Sequence, residues 1–152
     1  MSLKRIYIAS DHAGFNLKSR LKTWLELKGY VIKDFGSMSY NKNDDYPDFI
    51  IPLSRALSKA KDKNTMGIII GKTGQGEAMV ANKIKGIRAA VYYGKNTNIL
   101  KLVREHNDAN VLSLSGGFLS EKEAKKAISI FLSTNFSNAK RHKRRIRKFN
   151  KL

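Results

Sequence analysis

Hydrophobic residues recur along this chain in two alternating arrangements: short continuous runs and longer stretches with helical spacing. The clearest run, Ile68-Ile69-Ile70, is apolar and β-branched, which is typical of a strand buried on both faces. The longer stretches repeat apolar residues every three or four positions, as amphipathic helices do. Strands are predicted at 5–9, 30–35, 68–70, 88–93 and 110–114, and helices at 15–28, from Pro47, from Glu77, at 96–105 and at 120–132.

Strands that alternate with helices in this way predict a three-layer α/β/α fold. Its centre is a five-stranded, parallel, doubly wound (Rossmann-like) sheet. The chain has 152 residues and shows neither an internal repeat nor a linker, so a single domain over 1–152 is expected. Residues 137–152 could be helical but contain too few apolar positions for a core element, so they are predicted to form a basic C-terminal tail.

Composition narrows the functional classes. The chain lacks cysteine, which excludes disulfides and a thiol nucleophile. No apolar run approaches the roughly 18 residues of a membrane span, and no signal peptide is visible, so we expect a cytoplasmic protein without a membrane partner.

The charge is strongly basic, with 30 Lys and Arg against 12 Asp and Glu, and a net charge of +18. Residues 137–152 hold eight of the basic residues and no acidic one. A nucleic-acid-binding module is therefore the alternative from a different class. Because the tail has no interleaved aromatic residue except Phe149, and no helix-turn-helix or zinc pattern occurs, we expect no specific nucleic-acid partner.

The segment Gly71-Lys72-Thr73-Gly74-Gln75-Gly76 joins the apolar run to a helix. A glycine turn between strand and helix presents N–H groups to an anion. The spacing fits neither a P-loop, which would need glycine at Met66, nor the dinucleotide fingerprint, so a small oxyanionic or phosphorylated ligand is expected. Glu77 lies in the first helical turn, where it is either a surface carboxylate that complements the helix dipole or a functional group.

Ligands of such sheets bind beyond the carboxyl ends of the strands. Asp11 and His12 follow the first strand there, and Tyr46, at the end of the second loop, is within reach of the same edge. His106 and Asn107 close a helix and precede a strand, which places them at the opposite edge. Either they only terminate the helix, or His106 serves the crevice of a second chain.

Several short segments, in this order and spacing, together resemble one known family, the ribose-5-phosphate isomerase B family, which includes galactose-6-phosphate and allose-6-phosphate isomerases. The segments are Ser10-Asp11-His12-Ala13-Gly14-Phe15, Asp45-Tyr46-Pro47-Asp48-Phe49, Thr73-Gly74-Gln75-Gly76-Glu77, Ala81-Asn82-Lys83, Gly86-Ile87-Arg88-Ala89-Ala90, Arg104-Glu105-His106-Asn107-Asp108-Ala109-Asn110 and Arg141-His142-Lys143-Arg144-Arg145.

The resemblance implies an aldose–ketose isomerase of the pentose phosphate pathway that converts ribose 5-phosphate to ribulose 5-phosphate through an enediolate. A six-carbon substrate, allose 6-phosphate or galactose 6-phosphate, is the alternative. Many members use a Cys base at the position of Gly71, whereas another branch has a Glu that matches Glu77, which we therefore assign as the base. Thr73 and the N–H groups of the turn from Gly74 to Gly76 are expected to hold the enediolate, and the helix N-terminus is expected to lower the pKa of Glu77.

The resemblance also assigns the remaining site residues. His106 is expected to open the sugar ring, Asp11 to hold sugar oxygens and move protons, and Asn107 to contact the oxyanion. The phosphate is assigned to His12, Arg141, His142 and Arg145. No metal and no cofactor is expected, and a homodimer with shared active sites is predicted, with pairing into a tetramer left open.

Overall fold

The computed structural model describes residues 4–152. Its strands are β1 (Arg5–Ser10), β2 (Val31–Asp34), β3 (Met66–Gly71), β4 (Ala89–Tyr92) and β5 (Val111–Ser115). Its helices are α1 (Phe15–Leu27), α2 (Pro47–Ser58), α3 (Gln75–Ala81), α4 (Asn98–Asn107), α5 (Glu121–Ser133) and α6 (Lys140–Phe149), and a short 3₁₀ helix spans His12–Gly14.

The five strands form one parallel sheet in the order β2-β1-β3-β5-β4. Strand β2 lies on one side of β1, whereas β3, β4 and β5 lie on the other side. The chain therefore winds outward in both directions from β1, as the alternating pattern predicts. The carboxyl ends of β1, β3 and β5 meet at the middle of one edge, which we call the carboxyl edge. The opposite edge, where these strands begin, is called the amino edge.

Helices cover both faces of the sheet, which confirms the predicted three layers. Helices α1, α4 and α5 pack on one face, around Leu21, Leu100 and Phe131. Helices α2 and α3 pack on the other face, around Leu53 and Ala81. The predicted double burial of the β3 run is confirmed, because Ile68, Ile69 and Ile70 are fully buried and belong alternately to the two clusters.

The basic C-terminal segment forms a helix, α6, which the sequence left possible. It contributes no residue to the two core clusters, but it packs against α4 and buries His142 and Ile146. The Ser137 N–H also donates to the Glu105 carbonyl at 3.1 Å, which fixes the approach to α6 on the end of α4. A single buried isoleucine per helix is too weak a pattern to be recognised in the sequence.

In the described part of the chain, no helix is long and apolar enough to cross a membrane.

Candidate active site

The turn between β3 and α3 is fixed by its carbonyl groups. The carbonyls of Gly71 and Lys72 accept from the N–H groups of Gly116 and Gly117 at 2.8 and 2.9 Å. Those of the next two residues accept from serine hydroxyls of β5: Ser115 Oγ donates to the Thr73 carbonyl, and Ser113 Oγ donates to the Gly74 carbonyl at 2.6 Å. Four successive carbonyls are therefore held against β5 and the loop that leaves it.

This arrangement orients the N–H groups of the turn. In a trans peptide the C=O and the following N–H point in opposite directions, so the N–H groups of residues 72–75 face away from β5. The Gln75 N–H is used locally by Thr73 Oγ1 at 3.2 Å. Gly74 adopts φ 76°, a left-handed conformation that glycine accommodates without strain. The turn thus offers an anion-binding surface at the N-terminus of α3.

The two serines were missed by sequence reasoning, although a signal was present. Ser113 and Ser115 alternate with leucine in a strand whose five residues are all buried. A buried hydroxyl needs a partner, and both hydroxyls find one in the turn.

Glu77 is a buried residue, with 4% of its surface exposed. The interpretation as a surface carboxylate is therefore wrong. Its carboxylate occupies the space beside Gly71: a Cβ built on Gly71 would lie 1.8 Å from Oε1 and 2.6 Å from Oε2. The absence of a side chain at position 71 is what leaves room for the carboxylate there.

The expected lowering of the Glu77 pKa is also wrong. Burial raises the pKa of Glu77 above its ordinary value, and the nearby Asp11 carboxylate raises it further, while the backbone N–H of Glu77 acts in the opposite direction. Desolvation therefore outweighs the favourable helix N-terminus. The buried carboxylate is a stronger base than a solvated glutamate.

Asp11 and His12 lie beside the turn at the carboxyl edge, as the topology predicts. Asp11 is 7% exposed, and its Oδ1 accepts from the Ala13 N–H at 3.0 Å, which caps the 3₁₀ helix. His12 is held by Asp44, a residue that sequence reasoning missed because its loop has no periodic pattern. The Asp44 Oδ1 lies 2.6 Å from Nδ1 and 3.1 Å from the backbone N of His12.

The Asp44 contact is the largest of the effects that raise the pKa of His12, with Asp11 adding to it against partial desolvation. Asp11, His12 and Asp44 each offer one ligand atom within 4.8 Å of the others, so these three side chains are also close enough together to hold a metal ion.

Tyr46 reaches the same edge. Its hydroxyl lies against the backbone of Gly76, where an added Cβ would be 2.6 Å from Oη. Only glycine at position 76 permits this approach. The ring closes one side of the anion-binding turn.

A second group of side chains lies at the amino edge. The rings of His106 and His142 stack with centroids 4.3 Å apart and an interplanar angle of 17°. Asn107 ends α4 beside them, and the exposed Arg141 and Arg145 flank His142 on α6. Burial lowers the pKa of His142, and the positive charges of His106, Arg141 and Arg145 lower it further.

One chain does not bring the two groups together. The register pairs Gly67 with Val111 and Gly71 with Ser115. His106 precedes Val111, whereas Glu77 follows Gly71, so the length of the sheet, about 13 Å over these four steps, lies between them. The carboxyl-edge group holds Asp11, Asp44 and Glu77, and the amino-edge group holds Arg141 and Arg145, so their charges are complementary.

A doubly wound sheet with a glycine anion turn and a buried carboxylate defines a class of α/β proteins that act on small anionic ligands. Within that class, a family model described as ribose/galactose isomerase matches residues 6–149, and the chain belongs to this family.

Named relatives agree with this membership. The chain is 39% identical to ribose-5-phosphate isomerase B of Mycolicibacterium paratuberculosis, over 93% of this chain and 87% of the relative. It is 42% identical to the probable ribose-5-phosphate isomerase B of Mycoplasma genitalium, over 94% of this chain and 91% of the relative. The crystal structure of the ribose-5-phosphate isomerase B from Mycoplasma genitalium, with bound ribulose-5-phosphate, matches with a TM-score of 0.91 and 40% identity, over 99% of this chain and 96% of that chain.

Proposed function

We propose that this protein interconverts ribose 5-phosphate and ribulose 5-phosphate, with Glu77 as the base. The observation that carries the proposal is the position of the Glu77 carboxylate, which fills the space beside Gly71 at the start of the anion-binding turn. A buried base next to preorganised N–H donors is what proton transfer beside a carbonyl requires. Relatives named ribose-5-phosphate isomerase B support the choice of substrate.

The reaction follows from this placement. Glu77 removes the proton from C2 of the open-chain aldose, the C1–C2 double bond forms, and the carbonyl oxygen O1 becomes an oxyanion. Thr73 and the N–H groups of Gly74 and Gly76 stabilise that charge. O1 then gains a proton as the C2 hydroxyl loses one, with Asp11 assisting, and Glu77 returns its proton to C1. Tyr46 closes the side of the site next to Gly76.

The amino-edge group completes the site from a second copy of the chain. At the carboxyl edge of one chain, His12 and Lys72 lie beside the carboxylates of Asp11, Asp44 and Glu77, so a phosphate is bound more strongly there when further cations are supplied. We assign ring opening to His106 of the partner subunit and an oxyanion contact to Asn107 of the partner subunit. The partner's Arg141, His142 and Arg145 bind the phosphate together with His12, since arginine suits its bidentate geometry. The stacking of His106 on His142 supports their acting in one place. The dimer has two such sites.

The test is direct conversion of ribose 5-phosphate to ribulose 5-phosphate by the purified protein, run in D₂O to detect exchange at the transferred position. Glu77→Gln is expected to lower kcat by about 10²–10⁴-fold, the usual contribution of a general base. Glu26→Gln, the same change at an exposed position of α1, is the matched control and is expected to retain full activity.

Unphosphorylated ribose is expected to be a very poor substrate. Near wild-type turnover by Glu77→Gln would show that another group is the base. Turnover of allose 6-phosphate or galactose 6-phosphate, with none of ribose 5-phosphate, would show that the substrate has six carbons.

A further inference from the structure

We propose that Asp44 is a positioning residue that holds His12 as a phosphate-binding cation, an inference that rests on the proposed role of His12. Asp44 belongs to the loop between β2 and α2 and reaches back across 32 residues to the end of β1. One of its oxygens, Oδ1, receives both the backbone N–H of His12 at 3.1 Å and the ring Nδ1 at 2.6 Å. The contact therefore fixes the main chain and the imidazole of one residue together.

The surroundings of Asp44 leave His12 as its one cationic partner among the described residues. The Asp44 side chain is 8% exposed, and its second oxygen, Oδ2, is buried without a hydrogen-bond partner in the described part of the chain. Among the described residues, His12 is also the only cationic group within 4.0 Å of Asp44. A buried carboxylate needs a counter-charge, and the imidazolium supplies it.

The other groups that face His12 either favour its charged form or carry no charge. Asp11 Oδ2 lies 3.9 Å from Nδ1 and favours the charged ring. Tyr40, from the loop that also holds Asp44, packs edge-on with its centroid 6.2 Å away. With Nδ1 directed to Asp44, Nε2–H is the donor left for a ligand. The ring is 31% exposed, so a phosphate oxygen has access to it.

The geometry has a consequence for pH dependence. The charged ring is present below the raised pKa of His12 and is lost as the pH rises through it. Asp44→Asn removes the charge and keeps a hydrogen-bond acceptor of the same shape, so the imidazole should lose its proton at a lower pH. Phosphate binding should weaken first near neutral pH, while the chemistry at C1 and C2 remains unaffected.

Two measurements on the full chain test the inference. The first is an NMR titration of the imidazoles, which is simple because the protein has three histidines; the His12 signal is assigned by its loss in His12→Asn. Asp44→Asn is expected to lower the pKa of His12. Asp48→Asn, the same change at an exposed position of α2, should not. This measurement needs no activity, so it stands even if the proposed isomerase function fails.

The second measurement is the KM for ribose 5-phosphate between pH 5.5 and 8.5, with inorganic phosphate as competing ligand. At neutral pH, Asp44→Asn should raise KM about 5- to 10-fold, the difference between a charged and a neutral hydrogen bond, with kcat within about twofold of wild type. The ratio of the two KM values should approach one at low pH, where both imidazoles are charged. Titration of the substrate phosphate, with a pKa of about 6, cancels in that ratio.

Three results would overturn the inference. The first is a His12 pKa that is the same in Asp44→Asn and wild type. The second is a KM ratio independent of pH, which would reduce Asp44 to a purely structural residue. The third is loss of wild-type activity with EDTA and its return with Mn²⁺ or Zn²⁺, which would make Asp44 a metal ligand.

Discussion

Among single residues, Gly71 determines where the Glu77 carboxylate can lie. A side chain on strand β3 and a side chain from the first turn of α3 compete for one space, and in this chain the helix residue occupies it. The competing atoms belong to the flexible end of Glu77, so a clash there moves the carboxylate rather than the backbone.

Gly71→Ala should therefore lower kcat by about 10²-fold, because displacement of a reacting group by about 1 Å costs this much. The thermal unfolding temperature should change little. The control is the double variant Gly71→Ala/Glu77→Gln, which should be no slower than Glu77→Gln alone, since the methyl group then has no base to displace. Additive losses in the two variants would mean that Gly71 acts on another part of the site.

At the scale of elements, Lys18 joins α1 to the loop that holds Asp44 and Tyr46. Lys18 is 2% exposed, and its Nζ donates to Asp34 Oδ1 at 2.8 Å and to the Ser37 carbonyl at 2.7 Å. The loop that follows β2 therefore starts from an ion pair whose lysine is buried and whose carboxylate is 12% exposed. Lys22, one turn further along α1, reaches the same carboxylate at 3.5 Å but is 37% exposed.

These two lysines form a matched pair for a stability test. Lys18→Met should lower the free energy of unfolding by about 1.5–3 kcal/mol, because the Ser37 carbonyl loses its partner and Asp34 keeps only Lys22 and the Gly36 N–H. That corresponds to a fall of about 3–12 °C in Tm for a chain of this size. Lys22→Met should cost at most about 1 kcal/mol, as exposed pairs do. Equal effects in chemical denaturation would mean that burial does not distinguish the two contacts.

Lys18 also shows how far the sequence predicts the elements. The strands and helices are recognisable to within two residues at each predicted end, because the apolar pattern is strong in β1, β3 and α1. Lys18 shares a helical face with Leu21 and Leu25, so its position in the pattern predicts burial. Its charge points the other way, because lysine normally lies on the surface. The burial of the Asp44 side chain could not be predicted in this way, because the polar loop that contains it has no hydrophobic periodicity. The pKa of Glu77 depends on how deeply α3 packs, which no local pattern reports.

At the scale of the whole molecule, the separation of His106 from Glu77 requires a second chain if both act in one reaction. Glu77→Gln chains mixed with His106→Ala chains under subunit exchange should regain up to about a quarter of wild-type activity. Half of the dimers are then mixed, and each of those has one site without a lesion.

The control mixes Glu77→Gln with Asp11→Asn. Both changes lie at the carboxyl edge of their own chain, so every site keeps one lesion and activity should stay low. No recovery in either mixture, with exchange verified by mass spectrometry, would place His106 in the site of its own chain. Recovery in the control as well would mean that Glu77 and Asp11 of one chain do not serve the same site.

The Glu77 carboxylate beside Gly71 also determines how the site responds to oxidants. Peroxide oxidises a thiolate in that space to sulfenic acid and then, irreversibly, to sulfinic acid. A carboxylate has no such chemistry, and this chain contains no cysteine at all. With Glu77 as the base, the group that moves the proton has no thiol for peroxide to oxidise, and thiol-directed electrophiles find no cysteine to alkylate.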